Sequence, residues 1–160
     1  MDNQDLRINK IGCSSCSDEV KRVLFVCVHN AGRSQMAEAF FNQMANGRAQ
    51  GLSAGTRPSE EVNPLVIQVM REVGLDISHR KPKMLTPKIL EGVCRVITMG
   101  CGVENACPAL FLPTEDWQIE DPEGKPLERV RHIRDEIRAK VERLVAELLA
   151  DPNGNDFTRL

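Results

Sequence analysis

A short, valine-rich apolar run leads directly into a loop that contains a cysteine, a glycine and an arginine. The run covers residues 23–28, and the segment that continues from its end reads Cys27-Val28-His29-Asn30-Ala31-Gly32-Arg33-Ser34. Such a run is typical of a strand buried on both faces of a parallel sheet. From Ser34 onward the apolar residues recur at helical spacing, so the loop joins a strand to a helix. A strand, a tight loop and a helix in this order restrict the chain to an α/β fold.

The rest of the chain continues the alternation of strands and helices. A second strand is predicted at residues 50–54, a third at 93–99 and a fourth at 109–112. Helical periodicity covers residues 62–73 and, more clearly, 127–149, while residues 113–126 form a long connection. We therefore predict an α/β fold in three layers, with a doubly wound sheet of four parallel strands. Ligands of such sheets bind where the strands end, and Cys27 and Cys101 both fall at that edge.

One domain accounts for most of the 160 residues, and we place it at residues 22–150. Residues 1–21 are polar and without a clear period, so they are interpreted as a disorder-prone N-terminal extension, and residues 151–160 as a C-terminal tail. The 21 basic and 23 acidic residues give a net charge of −2, which argues against a general nucleic-acid binder or a protein of anionic membrane surfaces. No secretory signal or membrane span is recognisable, and we expect a cytoplasmic protein.

The loop after the first strand has the features of an oxyanion-binding site. Its backbone N–H groups and the start of the next helix supply partial positive charge, and we expect residues 28–34 to bind the anion: Val28, His29, Asn30, Ala31, Gly32, Arg33 and Ser34. Arg33 offers a planar, bidentate fork, and Gly32 permits a backbone conformation that a β-carbon would resist. Cys27 lies in this positive field, so it is predicted to be an ionised nucleophile. Ser34 can hydrogen-bond its sulfur.

Two further features bear on the steps after the attack on the anion. The Asp121-Pro122 pair lies before the last helix, where its carboxylic acid could protonate a leaving oxygen, although Asp-Pro is also a common turn. Cys101 and Cys107 could pass electrons by thiol–disulfide exchange, or they could be loop thiols without a role. A phosphatase needs one cysteine, whereas a reductase needs more. Cys94 is interpreted as a small core residue, and no metal site is predicted.

Several segments together resemble a known family. They are the segment that runs from the first strand through Cys27 and Arg33, the stretch Ile97-Thr98-Met99-Gly100-Cys101 with Cys107-Pro108, and Asp116-Trp117 with Glu120-Asp121-Pro122. The chain resembles the thioredoxin-coupled arsenate reductases of the low-molecular-weight protein tyrosine phosphatase-like fold. The resemblance implies that Cys27 bonds arsenic, Cys101 attacks Cys27, and Cys107 attacks Cys101. It also implies that Asp121 is the general acid, that thioredoxin supplies the electrons without a bound cofactor, and that the activity serves arsenic detoxification.

Some members of that family bind a monovalent cation near the loop through an Asn, a Glu, a Ser and an Asp. Asn30, Glu38 and Ser53 match the first three residues, and Lys83 stands at the fourth position. Its ammonium group could replace the cation, so we expect no potassium requirement.

Two other functions remain open. The first is a low-molecular-weight protein tyrosine phosphatase that uses Cys27, Arg33 and Asp121, although the chain has no tyrosine to embrace an aryl ring. Weak hydrolysis of small aryl phosphates is expected in either case, because the loop chemistry is shared. The second is a thiol-based arsenite- or metal-binding protein that uses Cys13, Cys16, Cys101 and Cys107. That function leaves Arg33 and the anion loop unexplained.

Overall fold

The computed structural model describes residues 20–99 and 114–150. Within them, strands and helices follow one another in the order that the sequence predicts. The strands are β1 (Lys21–Cys27), β2 (Ala49–Gly55), β3 (Arg95–Thr98) and β4 (Thr114–Asp116). The α-helices are α1 (Arg33–Ala45), α2 (Pro64–Glu72) and α3 (Leu127–Leu149), and a short 3-10 helix covers Lys88–Leu90.

The four strands form one parallel sheet in the order β2-β1-β3-β4. This order confirms the predicted α/β class and the four-stranded parallel sheet. The strand β1 is central, and its last residue, Cys27, is in register with Gly55 at the end of β2. On its other side, Val26 is in register with Thr98 at the end of β3. The carboxyl ends of three neighbouring strands therefore meet at the edge where Cys27 lies.

Alternate residues of β1 enter two different hydrophobic clusters, which explains why its apolar run is unbroken. Val23, Phe25 and Cys27 belong to a large cluster with buried residues of all three α-helices. Leu24 and Val26 belong to a smaller cluster on the opposite face, where the segment that includes the 3-10 helix covers them. Both faces of β1 are thus buried, and Cys27 at its end packs in the larger cluster.

Residues that favour the start and the end of a helix mark the two ends of α2. Asn63 caps α2 by accepting a hydrogen bond from the Leu65 N–H at 2.9 Å, and Pro64 occupies the first turn. Gly74 follows with φ +86°, a left-handed conformation that glycine adopts at little cost. The helix α3 buries one apolar stripe, formed by Val130, Ile133, Ile137, Val141, Leu144 and Val145. None of the helices in the described ranges is both long enough and apolar enough to cross a bilayer.

The position of the last strand differs from the prediction. The structure has β4 at Thr114–Asp116, inside the stretch that the sequence predicts as a connection, and residues 109–112 lie outside the described ranges. All three residues of β4 are exposed and polar, so no apolar pattern marks them as a strand. Backbone pairing with Val96, Ile97 and Thr98 makes them one. The predicted extension and tail also lie outside the described ranges, except that β1 begins at Lys21.

Candidate active site

The anion loop, residues 28–32, has its carbonyl groups turned outward. The segment 56–63 donates backbone hydrogen bonds to it: Thr56 to Cys27 O (3.2 Å), Arg57 to Val28 O (2.8 Å), Ser59 to His29 O (3.0 Å) and Asn63 to Ala31 O (2.9 Å). Among the described residues, the N–H groups of residues 29–32 donate to no acceptor. Because the carbonyl oxygens are engaged on the outside, these N–H groups are left for an anion at the start of α1.

Cys27 lies at the floor of the loop and is 2% exposed. Its Sγ is 2.9 Å from Ser34 Oγ, and that oxygen accepts a hydrogen bond from Asn30 Nδ2 at 2.7 Å. Since the Ser34 oxygen already accepts from Asn30, its own O–H is free to donate to the sulfur. A hydroxyl that donates to sulfur stabilises the thiolate, the form that acts as a nucleophile.

Arg33 is buried and joins three parts of the site. Its Nη1 donates to Met99 O at 2.7 Å, just beyond β3, and to Ile119 O at 3.1 Å. Its Nη2 is 3.6 Å from Asp121 Oδ2. The backbone acceptors hold the guanidinium plane in place, so the group is pre-oriented toward the loop.

Asp121 faces Cys27 and Arg33 across a cavity of about 340 Å³ that all three line. Its Oδ1 accepts from the Glu123 N–H at 3.0 Å, and its side chain is half-exposed. The neighbouring Glu120 is held differently, because a hydrogen bond from Arg129 lowers the pKa of its carboxyl group. Glu120 therefore stays ionised and suits an ion pair, whereas Asp121 is placed where a leaving oxygen would need a proton.

Gly32 is required for a reason that the sequence did not indicate. Its φ is −146°, outside the left-handed region that favours glycine, so the expected special backbone conformation stays a prediction. A β-carbon at Gly32 would lie 2.9 Å from Pro122 Cγ, and the close approach of the Asp121-Pro122 segment excludes a side chain. The left-handed residue of the loop is Asn30, with φ +52°.

The remaining rim residues of the cavity come from segments that sequence reasoning missed. Ser59, Glu61, Asn63 and Pro64 form one wall of the cavity. The Asn63-Pro64 pair is a recognisable pattern for the start of a helix. It is the one feature of the sequence from which this wall of the cavity could have been predicted. His29 also lies at the rim, with Nδ1 3.1 Å from Arg57 O. A carbonyl only accepts, so Nδ1 is the donor in this hydrogen bond.

The cysteines other than Cys27 divide into two groups. Cys94 is buried next to β3, as predicted, but it is disulfide-bonded and therefore is not a free thiol. Cys13, Cys16, Cys101 and Cys107 lie outside the described residues. In the described part of the chain, no group of three or more His, Cys, Asp or Glu residues could hold a metal ion.

A charged cluster lies around Glu38, on the side of α1 that bears the predicted cation-site residues. Glu38 Oε1 accepts from Ser53 Oγ at 2.5 Å and lies 3.9 Å from Lys83 Nζ. Arg80 Nη1 is closer, at 3.0 Å, and the sequence did not single out this arginine. Two protein cations therefore share one carboxylate here, and the absence of a potassium requirement stays a prediction.

Several known proteins are similar to this chain over most of its length. A putative arsenate reductase of Halobacterium salinarum is 38% identical over 140 residues, covering 84% of this chain and 98% of that protein. A glutaredoxin arsenate reductase of Synechocystis is 38% identical over 134 residues, covering 81% and 99%.

Solved structures agree with these relatives. An arsenate reductase in the phosphate binding state superposes with a TM-score of 0.74 at 38% identity, covering 80% of this chain and 98% of that one. The thioredoxin-dependent arsenate reductase of Corynebacterium glutamicum has a TM-score of 0.69 at 35% identity, covering 88% and 68%. The family of low molecular weight phosphotyrosine protein phosphatases matches residues 22–153. On this match, which spans most of the chain, and with a thiol, an arginine and a carboxyl group around one cavity, the chain belongs to that family.

Proposed function

We propose that this protein is an arsenate reductase in which Cys27 is the nucleophile and thioredoxin is the final reductant. The observation that carries the proposal is the cavity where Cys27, Arg33 and Asp121 meet beneath unpaired backbone N–H groups. Arsenate is a tetrahedral oxyanion that fits such a site. The arsenate reductase relatives, similar over nearly their whole length, support arsenate as the substrate.

In the proposed reaction, the Cys27 thiolate attacks arsenic and forms a sulfur–arsenic bond. One arsenate oxygen leaves as water, with Asp121 supplying a proton. The Cys101 thiolate then attacks Cys27 Sγ, and the sulfur–arsenic bond breaks with its electron pair on arsenic. Arsenic is thereby reduced from the pentavalent to the trivalent state and leaves as arsenite, while a Cys27–Cys101 disulfide forms.

The remaining steps restore the thiols. Cys107 attacks Cys101, which releases the Cys27 thiolate and leaves a Cys101–Cys107 disulfide. Thioredoxin reduces this disulfide with its own dithiol and becomes oxidised. The thioredoxin-dependent relative supports this donor, whereas the glutaredoxin arsenate reductase of Synechocystis makes glutaredoxin the donor to test against it.

The proposal is tested by arsenate-dependent NADPH consumption with thioredoxin and thioredoxin reductase. The wild type should turn over, and Cys27→Ser, Cys101→Ser and Cys107→Ser should each abolish steady turnover. A Cys13→Ser/Cys16→Ser double variant is the matched control and should stay active. If Cys101→Ser retains arsenate turnover, the relay is wrong, and if glutaredoxin with glutathione alone supports turnover, the donor is wrong.

A tyrosine phosphatase is the second candidate, favoured by the combination of Cys27, Arg33 and Asp121. None of the described residues that line the cavity is Phe, Tyr or Trp, which argues against a site built for an aryl ring. Hydrolysis of a small aryl phosphate by the same variants separates the two functions. We expect weak hydrolysis that only Cys27→Ser removes among the three cysteine variants.

A further inference from the structure

A charged cluster lies behind the anion loop, and the proposed reaction does not use it. Its centre is Glu38 of α1, whose side chain is 12% exposed. Burial of a carboxylate is unfavourable unless cations or hydrogen-bond donors compensate for it. Arg80 and Lys83, together with the Ser53 hydroxyl, supply that compensation.

Arg80 is the principal cation of this cluster. Its Nη1 is 3.0 Å from Glu38 Oε1, within hydrogen-bonding distance, whereas Lys83 Nζ is 3.9 Å away. The Arg80 side chain is 23% exposed and that of Lys83 44%, so water screens the arginine pair less. Arg80 Nε is buried without a partner in the described part of the chain. The guanidinium group therefore contacts Glu38 through Nη1 and not through Nε.

The segment 80–83 that carries these two cations also holds the anion loop. The Lys83 backbone N–H donates to Asn30 Oδ1 at 2.8 Å, and Gln35 Nε2 donates to the same oxygen at 3.0 Å. Asn30 in turn donates to Ser34 Oγ, which contacts the Cys27 sulfur. An unbroken series of polar contacts therefore runs from the segment 80–83 to the nucleophile.

Asn30 depends on that support because its backbone is left-handed, with φ +52°. A residue other than glycine adopts this conformation only when its surroundings favour it. The Lys83 N–H fixes the side chain of Asn30 from one side, and the Ser34 hydroxyl fixes it from the other. A shift of the segment 80–83 would therefore change the position of the loop N–H groups.

We propose that Arg80 is a positioning residue for the anion loop. Its guanidinium group neutralises Glu38 and holds the segment 80–83 against α1, so that the Lys83 N–H keeps Asn30 in its left-handed conformation. The backbone N–H of Gly55 also binds Lys83 O at 2.8 Å, so the segment has a second anchor. Loss of Arg80 should therefore weaken anion binding without abolishing it. The inference depends on the proposed function only for the identity of the substrate.

The test measures the Kd of inorganic phosphate by calorimetry for wild type, Arg80→Ala and Arg80→Lys. We expect Arg80→Ala to weaken phosphate binding about fivefold, the effect of losing a partly exposed ion pair, and Arg80→Lys to retain most of it. Millimolar guanidinium chloride should restore binding to Arg80→Ala but leave the wild type unchanged, with sodium chloride at equal ionic strength as the salt control. Arg71→Ala is the matched control, because Arg71 pairs with Asp76 on the exposed surface.

A double-mutant cycle with Glu38→Gln gives a second measurement. If Arg80 acts through Glu38, the two changes together should weaken phosphate binding no more than Arg80→Ala alone. Additive losses, or unchanged phosphate binding by Arg80→Ala, would overturn the proposal. A loss that neither guanidinium nor Arg80→Lys repairs would also overturn it. Since phosphate binding needs no reductant, failure of arsenate turnover in the wild type would reject the proposed function and leave this result standing.

Discussion

Gly55 is the residue at which the anion loop meets the segment 80–85. Its N–H donates to Lys83 O and its carbonyl oxygen accepts from the Leu85 N–H, both at 2.8 Å. A β-carbon on Gly55 would lie 2.6 Å from Val28 O and 3.0 Å from Asn30 N. The backbone of β2 therefore approaches the loop too closely for any side chain.

We predict that Gly55→Ala displaces the loop and weakens phosphate binding by about tenfold or more, since ordinary side-chain adjustment cannot remove a clash with backbone. Gly47→Ala is the control. Gly47 has φ +85° and open space around it, so alanine there should cost about 1 kcal/mol of stability and leave binding unchanged. Calorimetric titration with phosphate and thermal melts of both variants provide the two measurements. Wild-type affinity in Gly55→Ala would show that the loop tolerates the added carbon.

The sequence was enough to predict a residue's role where the chemistry of its own side chain indicates that role. Cys27, Arg33 and Asp121 have side chains whose chemistry suits an oxyanion, and the structure places all three around one cavity. Gly32, Gly55 and Arg80 could not be predicted in their roles, because each depends on a contact with a segment distant in sequence. Pro122 makes that contact at Gly32, and Val28 makes it at Gly55.

Between elements, an ionic cluster joins α2 to α3. Glu72, at the end of α2, accepts from Arg131 Nε at 3.0 Å and Nη2 at 2.9 Å. Arg134 Nη1 reaches the same carboxylate at 2.8 Å and also donates to Val69 O at 2.9 Å. The last turn of α2 is therefore attached to α3 by both side-chain and backbone acceptors.

This cluster predicts a pH dependence of stability. The hydrogen bond from Arg131 is the main reason that the pKa of Glu72 lies below its ordinary value of 4.5. A lowered pKa in the folded state means that the contribution is complete above pH 4.5 and is lost as the pH falls through the folded-state value. We expect Glu72→Gln to have a slightly lower Tm than wild type at neutral pH, with the difference vanishing in acid. Thermal melts across this pH range measure it.

The control for this prediction is Glu142→Gln. Glu142 is exposed on α3, the helix that carries Arg131 and Arg134, and the described residues provide it with no ion pair. Its substitution should leave the Tm difference near zero at every pH. A Glu72→Gln difference that grows toward acid would contradict the assigned sign.

Elements could be predicted from sequence in proportion to their apolar periodicity. The helix predicted at residues 127–149 is observed with the same bounds, because its buried stripe is continuous. The strand β4 could not be predicted, since Thr114, Glu115 and Asp116 are all exposed and only the pairing with β3 makes them a strand. Pairing between distant segments leaves no local signal in such a polar edge strand.

At the scale of the whole molecule, several separate parts of the chain meet at the candidate anion site. The segment 56–63 holds the loop through backbone hydrogen bonds, and Arg33 holds Met99 and Ile119. Asp121 completes the cavity from the connection before α3. An anion that engages the loop and Arg33 would therefore stabilise contacts among all these segments at once.

We predict that phosphate raises the Tm of the reduced protein. At a phosphate concentration of 100 times Kd, linkage gives about 2.7 kcal/mol of added stability. For a domain of this size, that corresponds to a rise in Tm of roughly 5–10 °C. Sodium chloride at equal ionic strength should give a much smaller rise, because chloride cannot accept several N–H groups in the arrangement that a tetrahedral oxyanion offers.

Arg33→Lys separates specific binding from general charge. Lysine keeps the positive charge but loses the guanidinium fork and the paired bonds to Met99 O and Ile119 O. The variant should melt lower without phosphate and should show little of the phosphate-dependent rise. An equal rise in Arg33→Lys would mean that phosphate stabilises the fold by charge alone. In that case the carbonyls that hold Arg33 would serve the packing of β3 against the Asp121 segment, and not the binding of the anion.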